Sequence, residues 1–222
     1  MNKIIATGAL TLALVLGGGW LLNRPAAPTD LLPGAAQAQE TAAELDTATI
    51  QDMTLGAADA PIEIIEYGSF TCPHCAAFHA EQYQQLKSDY IDTGKVRFTF
   101  REVYFDRFGL WASMIARCGG ELRFFGIHDI LYATQSEWTA GGDPAMIAEN
   151  LRKIGLTAGL DTAMLDACLS DATQAQTLVA WFEENAARDG IEGTPTFFIN
   201  GTKYANMAYA EMAAILDAEL AE

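Results

Sequence analysis

Cys72-Pro73-His74-Cys75 stands between an apolar, β-branched run and a stretch with helical patterning, and no other feature constrains the fold of this chain as much. Pro61 opens the run, and Ile62 to Tyr67 reads as a buried central strand rather than an amphipathic edge. A helix is predicted from Cys72. Thr71 suits its N-cap, Pro73 is tolerated in a first turn, and Phe78, Tyr83 and Leu86 can line one face. "GKVRFTF", Gly94 to Phe100, then places Val96, Phe98 and Phe100 on one side of a second strand, which completes a β-α-β unit.

From Asp106 to about Asp189 the pattern is helical throughout. Phe108, Trp111, Ile115 and Cys118 share a stripe that stops at Gly119-Gly120, and further helices are predicted over 121–134, 143–153, 161–170 and 173–189. "TPTFFINGTKYANM" reads as a hairpin in which Thr196–Ile199 and Thr202–Asn206 flank an Asn200-Gly201 turn. The formal glycosylation match at Asn200 is better taken as that turn. A last helix is predicted from Tyr209 to Leu220. Without the helical block, the remainder is a compact β-α-β plus β-β-α unit.

Upstream, Ile4 to Leu22 is a run of 19 residues without a charge, preceded by Lys3 and ended by Arg24. As a helix it would span about 28 Å, close to the hydrocarbon thickness of a bilayer. Residues 1–24 are therefore read as a signal peptide or an N-terminal membrane anchor. Ala36-Gln37-Ala38 offers a cleavage site, though unusually far from the apolar run. Either reading sends the rest of the chain out of the cytoplasm, to the periplasm, as a soluble protein after cleavage or tethered to the inner membrane. Residues 25–50, rich in Ala, Pro and Thr, read as a flexible linker, and 51–222 as the folded domain. The net charge of −16 falls almost wholly on that domain and would repel phosphate backbones, so nucleic acid is not an expected partner.

The cysteine pair admits four uses. A c-type haem attachment needs His directly after the second Cys, and position 76 is Ala. Cys72, Cys75 and His79 supply three metal ligands, but no second pair supplies a fourth, so no metal is expected. A staple enclosing two residues restricts little of the unfolded chain. As a redox pair the neighbours make sense: at a helix N-terminus, Cys72 meets unpaired N–H groups and the positive end of the dipole, which favour thiolate over thiol. His74 adds to that bias if it is protonated or donates a hydrogen bond; otherwise it is a solvated surface residue. A stabilised thiolate favours the dithiol and makes the disulfide a strong oxidant.

Three other positions bear on function. Glu66, on a strand that otherwise reads as buried, is costly to ionise without a task or a partner, for which Arg101 on the next strand is one candidate. Cys118 and Cys168 fall at the ends of two predicted helices, either as buried free thiols or, as expected outside the cytoplasm, as a structural disulfide. If paired they close a loop worth about 4 kcal/mol in the chain-entropy description. Phe70 and Phe78 are open between core and a peptide-binding groove.

The element order, with Cys-x-x-Cys opening the first helix and Thr194-Pro195 before the hairpin, resembles the thioredoxin fold with a helical insertion. Within it, "EYGSFTCPHC" is similar to the bacterial DsbA family of periplasmic thiol-disulfide oxidoreductases, as are "LGAADAPIEIIEY", "HDILYATQ" and "GTPTFFINGTKY", over residues 53 to 222. The resemblance implies an α/β, thioredoxin-like fold with an inserted all-helical domain at about 106–189. It implies Cys72 as the exposed nucleophile, Cys75 as the buried resolving thiol, Pro73 and His74 as tuners of the thiolate, and Glu66 as a proton relay. It also implies a cis Thr194–Pro195 loop that pairs with substrate, where an ordinary trans proline is the alternative. The expected activity is donation of the Cys72–Cys75 disulfide to folding exported polypeptides by a monomer, with no cofactor beyond the cysteine pair. A DsbB-like membrane reoxidase would restore the disulfide. Thr rather than Val before the proline departs from the best-known DsbA pattern and leaves a reductase or isomerase of the same fold as an alternative. A tethered metal-binding or chaperone module is a further one.

Overall fold

The structure is a computed structural model that describes residues 45–221. The apolar run 4–22, the A-x-A site and most of the predicted linker lie outside the described residues. Among those residues no helix is long and apolar enough to cross a membrane.

A five-stranded sheet forms the centre, in the order β1-β3-β2-β4-β5. Its strands are β1 (Met53–Leu55), β2 (Ile62–Gly68), β3 (Val96–Glu102), β4 (Thr196–Ile199) and β5 (Thr202–Ala205). The β2–β3 pair is parallel, with Glu66 beside Phe100 and Tyr67 beside Arg101; the other three pairings are antiparallel. Parallel neighbours need a crossover, and the chain makes it through α1 (Pro73–Phe78), a π-helical segment (His79–Tyr83), α2 (Gln84–Leu86) and a second π-helical segment (Lys87–Ile91). Cys75, His79, Tyr83, Leu86 and Tyr90 face inward along this crossover. Their mean step exceeds the 3.6 residues of an α-helix, which is the spacing a locally widened helix accommodates.

The predicted strands and hairpin form where the pattern places them. Asn200 and Gly201 adopt φ of 44° and 80°, as a two-residue turn between twisted strands requires, and the Asn200 side chain accepts a hydrogen bond from the Glu63 N–H at 3.0 Å. Gly68 ends β2 where a Cβ would come 2.5 Å from the Phe100 ring and 3.0 Å from Glu66 Oε1. Only glycine lets the strand pass so close to the site described below.

Between β3 and β4 lies the helical insertion: α3 (Arg107–Cys118), α4 (Glu121–Ala133), α5 (Gln135–Trp138), α6 (Pro144–Thr157), α7 (Thr162–Ser170) and α8 (Ala172–Asp189). Helix α9 (Tyr209–Glu219) follows the hairpin. Asp106, Asp143, Asp161 and Asp171 cap α3, α6, α7 and α8 by accepting first-turn N–H groups, so part of the acidic composition serves helix termini. Ile62, Ile64, Phe98, Phe100, Phe197 and Ile199 from the sheet join Phe124, Ile127 and Leu131 of α4 in one core. Each large side chain buried there contributes about 1.5–3 kcal/mol.

One expectation is corrected, and one strand was not expected. The flexible linker does not extend to residue 50: Asp46 caps a 3₁₀ turn at Thr47–Thr49, Thr47 donates to Glu184 at 2.8 Å, and Ile50 is buried with Met114, Leu178 and Trp181. A short segment with one apolar anchor shows no period and looks like a tether. Strand β1, which adds an antiparallel edge to β3, is three residues long and gives no alternation to read.

Candidate active site

Cys72 occupies the N-cap of α1, with φ of −83° and ψ of 118°, and Pro73 is the first helical residue. The sequence assigns that cap to Thr71; its hydroxyl instead donates to Asp106 Oδ2 at 2.8 Å and ties the turn to the start of α3. The cap position leaves Cys72 where the first free N–H groups of the helix converge. Its thiol is lowered from 9.0 to about 5, first by the hydrogen bond from the Cys75 side chain, against desolvation, and further by Thr194 and by the backbone N–H groups of Cys75 and His74. His74 thus acts through its main chain, while its imidazole is exposed. Pro73 lacks an N–H and contributes by opening the helix.

Cys75, one turn on, is fully buried, and burial, the Cys72 sulfur and the charge of Glu66 push its thiol well above the ordinary range. Cys72 is only 8% exposed. The expected exposed nucleophile is therefore a largely covered sulfur, with a narrow approach for a partner. What covers it is the loop before β4: the Thr194–Pro195 bond is cis, and the Cys72 thiol donates to the Thr194 carbonyl at 3.5 Å. Thr194 favours the thiolate at both cysteines.

Glu66 is fully buried. Arg101 is not its partner, because consecutive residues of β3 point to opposite faces: Phe100 shares the face of Glu66, and Arg101 turns to Asp52 at 2.8 Å and Asp189 at 3.3 Å. Glu66 meets His79 instead, with its two oxygens 3.1 and 3.0 Å from Nε2. Burial pushes Glu66 up to about 8, with the nearby His128 lowering it and Cys72 raising it. Among the described residues, no group of three or more His, Cys, Asp and Glu side chains is arranged to hold a metal.

Residues that the sequence did not single out complete the site. Gln135, at the start of α5, donates to the carbonyls of Phe70 at 2.8 Å and Cys72 at 3.0 Å, so the insertion fixes the turn that carries the cysteines. Its only signal is its place at the end of "HDILYATQ". His128 and Tyr132, one turn apart on α4, pack on His79. Phe70 and Phe78 are core, each 1% exposed, not groove. Cys118 and Cys168 form a disulfide with Cα atoms 5.9 Å apart, joining α3 to α7 away from the redox pair, which is present as two thiols.

Comparison with known proteins agrees with this geometry. A family model described as thioredoxin matches residues 48–218. A Rickettsia bellii protein named for protein-disulfide oxidoreductase activity is 36% identical over 172 residues, 77% of this chain and 65% of its own length. The chain thus spans just under two thirds of that relative. Among solved structures, alpha-DsbA1 of Wolbachia pipientis superposes with a TM-score of 0.69 at 27% identity, over 76% of this chain and 90% of its own. A protein-disulfide isomerase of Novosphingobium aromaticivorans gives 0.69 at 28% identity, over 77% and 98%.

Proposed function

Because this chain belongs to the thioredoxin family and is similar to DsbA-like proteins, we propose that it is a protein-disulfide oxidoreductase that oxidises thiols of exported polypeptides in the periplasm with its Cys72–Cys75 disulfide. The observation that carries the proposal is the opposition of the two sulfurs: Cys72 held as an anion at the helix start, Cys75 held as a thiol one turn deeper.

A substrate thiolate attacks Cys72 Sγ, and the electron pair of the Cys72–Cys75 bond passes to Cys75 Sγ. Buried and near Glu66, that sulfur takes a proton, for which the neutral Glu66 carboxyl is the source. A second substrate thiolate then attacks the substrate sulfur of the mixed disulfide. Cys72 leaves as a thiolate, stabilised by the same N–H groups and thiol that lower its pKa, and the substrate has lost two electrons to the enzyme. The substrate strand lies along the Thr194–Pro195 loop. A DsbB-like membrane partner returns the pair to the disulfide, and no other cofactor takes part.

The test is Cys75→Ala produced in an exporting cell. Expected is a spread of secreted proteins disulfide-linked to Cys72; glutathione alone, or nothing, argues against polypeptide substrates. Thr194 in place of Val before the cis proline supports isomerase or reductase action as a second reading. The in-cell state of the pair separates the two, since an oxidase is found mostly as the disulfide and an isomerase as the dithiol.

A further inference from the structure

Behind the cysteines lies a polar cluster that the exchange above uses only at its near end. His79 and His128 are buried at 4% and 0% exposure and lie with ring centroids 4.5 Å apart. Tyr132 stacks on the other side of His79 at 4.1 Å, and Asp129 Oδ1 lies 3.1 Å from His128 Nδ1. Glu66 faces His79 from β2, Tyr83 from its own segment, and His128, Asp129 and Tyr132 from α4. Nε2 of His79 is on Glu66, but Nδ1 is buried with no protein partner.

Leaving a buried ring nitrogen unpaired costs about 1–3 kcal/mol, so a water that reached it would be held there. His79 forms part of the wall of a pocket of about 300 Å³ with Ala80, Gln84, Asp129, Tyr132 and Ala133. That volume holds several waters at about 30 Å³ each. The side chain of Asp129 is 42% exposed, which opens the pocket to solvent. Neither cysteine lines it, nor does the Thr194–Pro195 loop.

We propose that His79 conducts protons between Glu66 and water in this pocket, so that Cys75 gains or loses its proton while a polypeptide covers Cys72 and the cis-proline loop. The proposal rests on Glu66 being the proton partner of Cys75. Burial supports it by keeping the ring neutral: His79 is lowered to about 3. A neutral imidazole carries one proton, accepting at one nitrogen and releasing at the other.

In the oxidised protein Nε2–H donates to the carbonyl oxygen of the Glu66 carboxyl, and Nδ1 accepts from a pocket water. When the Cys72–Cys75 bond breaks, the Glu66 O–H proton goes to the Cys75 thiolate, the Nε2 proton goes to Glu66, and water supplies a proton at Nδ1. Glu66 ends as neutral as it began, and the solvent has lost one proton. On reoxidation Cys75 returns its proton to Glu66, Glu66 protonates Nε2, and Nδ1–H is released to water. One cycle restores the tautomer, so nothing in the cluster need rotate or ionise.

The tautomer is the test. Long-range ¹H–¹⁵N correlation spectra of the whole protein in both redox states should show His79 protonated on Nε2 when oxidised and on Nδ1 when reduced. The same tautomer in both states overturns the proposal. A purely structural His79 gives that result, and the measurement needs no variant.

Kinetics separate this proposal from its premise. The reduced protein reacts with the aromatic disulfide 5,5′-dithiobis(2-nitrobenzoate), and its second release of thionitrobenzoate reports attack by Cys75. Glu66→Gln and His79→Phe are each expected to slow that phase by about 10²-fold, the scale of a lost proton-transfer group. His79→Phe should leave the Cys72 absorbance midpoint near 5, because His79 is not among the groups that set it. Slowing in Glu66→Gln alone overturns the conduit and keeps the relay. Slowing in neither overturns both.

Discussion

The opposition of the two thiols fixes how the reduction potential of the pair depends on pH. At pH 7 a thiol of pKa about 5 is thiolate by about 100 to 1, whereas one at 9.0 is thiol by the same ratio. The reduced protein is thereby stabilised by about 2.7 kcal/mol, or about 60 mV for two electrons, relative to a pair with an unperturbed Cys72. The slope follows from proton counting. Below the Cys72 midpoint two protons accompany the two electrons, and the potential falls by about 59 mV per pH unit. Above it only the Cys75 proton does, and the slope halves to about 30 mV per unit. The assay is equilibration with glutathione buffers from about pH 3.5 to 7, below the Glu66 midpoint near 8, with thiolate absorbance at 240 nm read on the same samples. A break near pH 5 that coincides with the absorbance midpoint is expected. A slope of about 59 mV per unit sustained to pH 7, with no thiolate absorbance below pH 8, would refute the reasoning.

Four further outcomes follow from the same contacts. Cys75→Ala should raise the Cys72 absorbance midpoint more than Thr194→Val does, because the Cys75 thiol is the larger source of the lowered value. Glu66 has its folded pKa raised, so the native state loses stability as pH climbs from 4.5 to about 8, and Glu66→Gln should abolish that slope in chemical denaturation. The gain at pH 7 is up to about 3 kcal/mol. His79 and His128 have folded pKa values lowered to about 3 and about 4, so the stability they contribute is present above pH 6.5 and lost as pH falls toward 4; replacing His128 by Phe should flatten that acid limb. Replacing Cys118 and Cys168 together by Ser should cost about 2–4 kcal/mol in urea unfolding while leaving the Cys72 midpoint in place.

The parts of the fold legible in the sequence are those with a strong local pattern. Ile62 to Tyr67 carries a continuous apolar run, Val96 to Phe100 an alternation and Asn200-Gly201 its turn chemistry, and the stripe from Phe108 to Cys118 with its stop at Gly119-Gly120 marks α3. The order of these elements, with Cys-x-x-Cys opening the first helix and Thr194-Pro195 before the hairpin, carries the resemblance to the thioredoxin fold. Strand β1 and the docked turn at 47–49 were illegible because their reason lies elsewhere in the chain, in the edge of β3 and the cluster of Met114, Leu178 and Trp181. The polarisation of Cys72 was legible from its place at a helix start. That its largest source is the Cys75 thiol was not, since two side chains one turn apart need coordinates before their hydrogen bond can be seen.

Glu66 and His79 show the deeper limit. Each stood out alone, the first as an acid on a buried strand and the second as a third metal ligand, and neither reading named the other. Thirteen residues and a strand-to-helix turn separate them, and only the β2-α1 packing brings Nε2 within 3.1 Å of both carboxyl oxygens. An imidazole so held by a neutral acid has its second nitrogen free of any protein partner, and the ring forms part of the wall of the pocket with Ala80, Gln84, Asp129, Tyr132 and Ala133. Placing a carboxyl behind a reactive cysteine raises a difficulty, because the burial that keeps it neutral also cuts it off from solvent. A ring with two nitrogens resolves it by letting protons through without letting water in. Filling the pocket with a large apolar side chain, as in Ala133→Phe, should therefore slow the Cys75 step while leaving the Cys72 midpoint untouched, and equal rates in the filled and open proteins would mean that protons reach Glu66 from the substrate side.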